Sequence, residues 1–151
     1  MPARLEWGDI HWEDPDGGTI VLHPVLPTVV YPRKMRTRAE WHGLALLESP
    51  DVVDLWIQEE KDEAESPGVN LSHGLISGGA FGIFLDEISM VEDVTSGRFP
   101  DPEPRRLHRN ATRHERPVFF IEPTADDEEW NKHLTREAKA ASHWRKLLGM
   151  I

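Results

Sequence analysis

The stretch LEWGDIHWEDPDGGTIVLHPV, residues 5–25, decides how the chain is read. Leu5 to Glu13 and Thr19 to Val25 are β-rich runs, and the turn formers Asp14-Pro15-Asp16-Gly17-Gly18 between them predict an antiparallel hairpin. If Glu13 pairs with Thr19, the two-residue period of a strand puts Ile10, Trp12, Ile20 and Leu22 on one face. Asp9, His11, Glu13 and His23 then share the other. The apolar set is expected to face a core and the polar set to face water. Leu5 and Trp7 fall in phase with the polar set, which predicts a bulge or strand break at Gly8.

Downstream, Pro24, Pro27 and Pro32 bracket Val29-Val30-Tyr31, a pattern that suits an edge strand or an extended segment. Thr37 and Glu40 have capping-box spacing, which predicts a helix carrying Trp41, Leu44, Ala45 and Glu48 on successive turns. Ser49-Pro50 reads as a second helix start. Its stripe is Val52, Val53, Trp56 and Ile57, and it should fade near Ser66-Pro67-Gly68. Ala80, Phe81, Phe84, Leu85, Ile88 and Val91 keep helical spacing, although Gly78, Gly79 and Gly82 each oppose a helix start by roughly 1 kcal/mol relative to Ala.

Residues 96–116 hold Pro100, Pro102 and Pro104 followed by five arginines, the composition of a linker or arm. Val118 to Ile121 reads as a short strand. Thr124 and Asp127 then open a helix of about six turns at 3.6 residues each, with Trp130, Leu134, Ala138, Ala141, Trp144 and Leu148 as its apolar stripe. The order strand, strand, helices, strand, helix predicts an α+β fold. It would be a small antiparallel sheet built on the N-terminal hairpin, packed with two to three helices and a long C-terminal amphipathic helix. The expected blocks are an α+β core over 1–95, a Pro/Arg-rich linker or arm over 96–116, and a short strand with a C-terminal helix over 117–151 that packs on the core or on a neighbouring subunit.

The composition narrows the function. Leu, Ile, Val and Phe make up 37 of 151 residues, enough to order a chain that at this length holds one domain with an extension at most. With 17 basic and 27 acidic residues the net charge is -10, which disfavours coating nucleic acid or an anionic membrane. The absence of cysteine removes disulfides, thiolate metal sites and Cys nucleophiles, and it fits a cytoplasmic protein or a particle assembled in the cytoplasm. No window approaches a membrane span, and Met1 to Glu13 lacks the layout of an export signal.

Motifs for chemistry are sparse. Asp9, His11, Glu13 and His23 could offer two imidazoles and two carboxylates to one divalent ion, against the plainer reading of a solvent face. That set is the basis of an alternative function, a small metal-dependent hydrolase or nuclease. His108 and His114 are too far apart in any regular structure to chelate together, as are His133 and His143. Ser77 lacks the Gly-x-Ser-x-Gly elbow of a serine hydrolase, and the nearby glycines lack the lysine of a phosphate loop. No cofactor is expected.

Charge segregation and tryptophan point elsewhere. Eight acids between Glu48 and Glu65 face only Lys61, whereas Arg105, Arg106, Arg109, Arg113 and Arg116 are opposed only by Glu115, leaving that run at +4. Arginine keeps its charge when partly buried and forms bidentate bonds with carboxylates and phosphates, so it suits interfaces. Six tryptophans exceed what one small core readily encloses, and Trp130 and Trp144 share one helical stripe that could grip a neighbour. The expectation is therefore a non-enzymatic structural or interaction subunit that contacts other protein subunits, as a homo-oligomer or in a hetero-assembly. It would use the five arginines, Trp130 and Trp144. A virion or similar particle suits that profile, and neither nucleic acid nor membrane is an expected partner.

Overall fold

A computed structural model describes residues 8–37 and 40–141. The hairpin is β1 (Ile10–Glu13) and β2 (Thr19–Leu22), antiparallel with Glu13 opposite Thr19 and Ile10 opposite Leu22. Its turn closes through Asp14, whose backbone carbonyl accepts the Gly17 amide and whose carboxylate accepts the Asp16 amide. Ile10, Trp12, Ile20 and Leu22 were expected to face a core, but all four are about half exposed or more. The hairpin stands off the body as a two-stranded ribbon without a third strand, and among the described residues no element packs over that face.

The core centres on the segment bracketed by prolines. Val29 and Tyr31 are fully buried and cluster with Met35 and Ile88, and Leu26, Phe84, Val91 and Val94 pack around them. Val30 forms an isolated antiparallel bridge with Thr95 instead of joining a longer edge strand. The prolines exclude the segment from a ladder, so its backbone is satisfied piecemeal. The Tyr31 hydroxyl accepts the Leu26 amide at 2.6 Å and donates to the Pro24 carbonyl at 3.1 Å. Burial pushes the Tyr31 phenol up to about 12, so it keeps the proton that it donates.

Among the described residues, the helix expected from Thr37 is absent. Trp41 to Leu47 holds β3 (Leu44–Leu46), and the Thr37 hydroxyl bonds Asp9 at 2.6 Å instead of capping a helix. Gly43 disfavours a helix there, and its backbone runs close under Pro117 and Phe119. Next come α1 (Val52–Glu65), α2 (Val69–Ser77) and α3 (Gly79–Ser89). Helix α2 had no counterpart in the sequence reading. Gly74 brings it against α3 so closely that a β-carbon would stand 3.2 Å from Leu85 and 3.3 Å from Phe81.

Residues 96–116, read as a linker or arm, contain α4 (Pro102–Arg113). Three prolines suggested extended chain, yet Asp101 is the N-cap and Pro102 takes a first-turn position, where a missing amide costs nothing. The helix packs on β3 and on β4 (Val118–Phe120), burying Pro104, Leu107 and Ala111. β3 and β4 are parallel, with Leu44 opposite Val118 and Leu46 opposite Phe120. The expected single antiparallel sheet is therefore two separate two-stranded sheets, one of them parallel, in an α+β arrangement with five helices among the described residues. The Asp127 carboxylate accepts the Trp130 amide at 2.8 Å and so caps α5 (Glu128–Ala141), whose side chains are mostly exposed.

Candidate functional site

Helix α4 distributes the five arginines of interest to different tasks. Arg105 reaches back to α1, where it donates to the Trp56 carbonyl at 3.2 Å and pairs with Glu60. The hydrogen bond and charge of Arg105 hold the exposed Glu60 carboxyl below its ordinary value. Arg106 bonds both carboxylate oxygens of Glu103, one of them at 3.0 Å, across one turn of the same helix. Arg116 lies 4.4 Å over the Trp41 ring. These three arginines are engaged within the fold. Arg109 and Arg113 are exposed and make no hydrogen bond or ion pair with a described residue.

The arginines of α4 line an open groove of about 410 Å³. Arg105, Arg106, Arg109, Asn110 and Arg113 form one wall, Glu60 stands beside them, and Pro100 and Pro102 supply an apolar rim. Arg105, Arg109 and Arg113 recur every four residues and therefore ascend one face, with about 6 Å of rise between neighbours. On the inner side, Trp56 lies 5.7 Å from the His108 ring, which lies 6.1 Å from Phe120. Burial, helped by the Arg105 charge, pushes the His108 imidazole below its ordinary value.

The base of the hairpin is fixed by a second polar set. Asp9 precedes β1 and His23 follows β2, so the ladder brings them opposite each other, with Nδ1 of His23 donating to Oδ1 of Asp9 at 2.6 Å. Burial alone would raise the Asp9 carboxyl, but hydrogen bonds from Thr37 and His23, together with the nearby imidazoles, hold it below its ordinary value. Nε2 of His23 lies 3.4 Å from Oε1 of Glu103, out of line for a hydrogen bond. The chain Thr37, Asp9, His23, Glu103, Arg106 thus ties the hairpin to α4 through two largely buried carboxylates.

The alternative metal reading required Asp9, His11, Glu13 and His23 to converge. Asp9 and His23 instead bond each other, His11 and Glu13 are exposed, and among the described residues no group of three His, Cys, Asp or Glu side chains could hold a metal ion. Ser77 donates to the Gly74 carbonyl at the end of α2 and is not part of a nucleophilic arrangement.

Trp130 is half-buried on α5 and stacks on His133 with ring centres 5.6 Å apart. Trp144 lies outside the described residues. Glu103 and Asp101 fall in the stretch whose composition suggests a linker, so neither stands out in the sequence as a functional residue. Asp101 is half-buried at the N-cap, and its Oδ1 is buried with no partner among the described residues. Burial pushes this carboxyl up to about 6, the Thr28 and Glu103 amides pull the other way, and Glu48 and Glu59 add to the rise. The pattern Asp-Pro-Glu-Pro, an N-cap followed by a first-turn proline, was the available signal. No helix of the described residues is long and apolar enough to cross a membrane. Comparison with family models, with curated proteins and with solved structures finds no match for this chain.

Proposed function

We propose that this protein is a non-enzymatic structural or interaction subunit of a larger assembly, joined to a second copy of itself through the open face of the hairpin. The observation that carries the reading is the exposure of that hairpin's apolar face. Asp9 and His23 at its base are drawn into the body, while beyond them Ile10, Trp12, Ile20 and Leu22 stand exposed together. A sheet packed on its own core covers its apolar face. Two-stranded hairpins are marginal alone in water, so a ribbon with an uncovered apolar face gains most from a partner. Covering four half-exposed side chains would contribute on the order of 4 kcal/mol per protomer before the costs of association.

A two-fold axis laid through the face sets the same four side chains against themselves, a self-complementary contact that closes at two copies. Trp130, half-buried on α5, is a secondary contact in a larger arrangement such as a virion or similar particle. A cytoplasmic setting goes with this reading and is supported by the cysteine-free composition.

Amide hydrogen exchange at low and high micromolar protein tests it. The amides of Thr19 to Leu22 should slow as concentration rises while the core around Val29 and Tyr31 stays unchanged. Hairpin exchange that does not vary with concentration contradicts pairing through this face.

A further inference from the structure

The groove on α4 carries a second surface, distinct from the hairpin. We propose that it is a binding site for a single phosphoryl group presented as a phosphate monoester. Four guanidiniums meet there, and the two carboxylates that neutralise part of their charge, Glu60 and Glu103, leave two positive charges over. The partition is also geometric. Arg105 and Arg106 are held in place by their carboxylate partners, whereas Arg109 and Arg113 have no hydrogen-bonding partner among the described residues.

The two free guanidiniums stand one helical turn apart, with Asn110 on the same wall of the groove. A phosphate monoester near neutral pH carries about 1.5 to 2 negative charges on three acceptor oxygens, matching both the residual charge and the number of donor groups. A carboxylate offers one charge and two oxygens and would leave one guanidinium unanswered. The prevalence of arginine, with no lysine in the wall, favours a planar two-point grip on an oxyanion over attraction to a diffuse charge.

The groove exceeds the volume of a bare phosphate, and Pro100 and Pro102 give its rim an apolar surface on which the ester's carrier can lie. A nucleic-acid backbone fits less well. The acidic helix α1 meets the groove at Glu60, and a chain of net charge -10 repels a polyanion longer than the arginine stripe. The recognised chemistry is thus one phosphoryl group, borne either by a small ester or by a phosphorylated side chain.

The test is an NMR titration of the full chain at constant ionic strength with four probes: phenyl phosphate, a short phosphoserine peptide, the same peptide unphosphorylated, and a short single-stranded oligonucleotide. The proposal expects saturable shifts of the Arg109 and Arg113 Nε–H and Asn110 side-chain amide signals with a phosphorylated probe only. The stronger of phenyl phosphate and phosphopeptide identifies the carrier. In Arg109→Gln/Arg113→Gln the affinity should fall about tenfold or more, the scale of lost charge-assisted hydrogen bonds. Both residues are exposed and hydrogen-bond to no described residue, so the variant should keep the wild-type backbone spectrum. No saturable shift with either phosphorylated probe, equal affinity in the double variant, or tighter binding of the oligonucleotide would overturn the proposal.

Discussion

Glu115 sits just past the end of α4 with φ of 53°, in the left-handed region, while the Arg116 amide closes the helix end on the Ala111 carbonyl. That conformation is unfavourable for any residue with a β-carbon and is the usual place for glycine. Glu115 is exposed, so Glu115→Gly should raise stability by up to about 1 kcal/mol and the melting temperature by a few degrees. Thermal denaturation followed by circular dichroism measures it, and an unchanged or lower midpoint would contradict the strain. Asp101 makes a prediction in pH. Its folded carboxyl lies at about 6, raised by burial, whereas an unfolded aspartate lies near 3.9. The native state therefore binds the proton more tightly, and this contribution to stability is complete below about pH 4 and lost as pH rises through about 6. Urea midpoints should show Asp101→Asn gaining on the wild type as pH rises from 4 to 7, with little difference at the acid end. A constant difference between the two proteins across that range would refute the buried charge.

At the scale of elements, the link between hairpin and α4 runs through Glu103, one of the largest fully buried side chains, which faces both His23 and Arg106. Glu103→Ala would leave Arg106 without its carboxylate and open a void under the hairpin. The loss should be about 3 kcal/mol, at the lower end of the range for breaking a buried pair, because Arg106 remains a third exposed. Denaturant titration gives the number, and a loss below about 0.5 kcal/mol, the scale of an ordinary surface substitution, would show that the pin does not hold the hairpin.

The same elements show what the amino-acid order exposes and what it hides. Turn formers between two alternating runs identify the hairpin region, and the Ser-Pro start and Ser-Pro-Gly end delimit α1, because each is a local signal. The direction in which the hairpin faces is not local, since alternation marks an apolar face without saying what lies over it. Thr37 and Glu40 have cap spacing, but the Thr37 hydroxyl is taken by Asp9, 28 positions away. In α4 a local cap signal was present and was outweighed by the count of prolines. Arg105 and Arg106 looked like surface charge because Glu60 and Glu103 become their partners only once the chain is folded.

The described residues of the whole molecule hold sixteen exposed large hydrophobic side chains against nine buried hydrophobic ones. Single exposed apolar residues are ordinary, but four on one face of a projecting ribbon are not. Because that face is apolar, association through it should survive added salt, unlike pairing between the acidic α1 and the basic α4 surfaces. Trp12→Ser/Ile20→Ser changes two exposed side chains on the outer face and should cost the monomer less than about 1 kcal/mol. The decisive measurement is absolute mass by light scattering after size exclusion, at low and at moderate salt, for the wild type and this double variant. The wild type should run as a dimer at both salts, twice the 17.3 kDa of one chain, and the double variant as a monomer. A wild type that runs as a monomer throughout, or an oligomer that the double variant leaves intact, would contradict assembly through the hairpin.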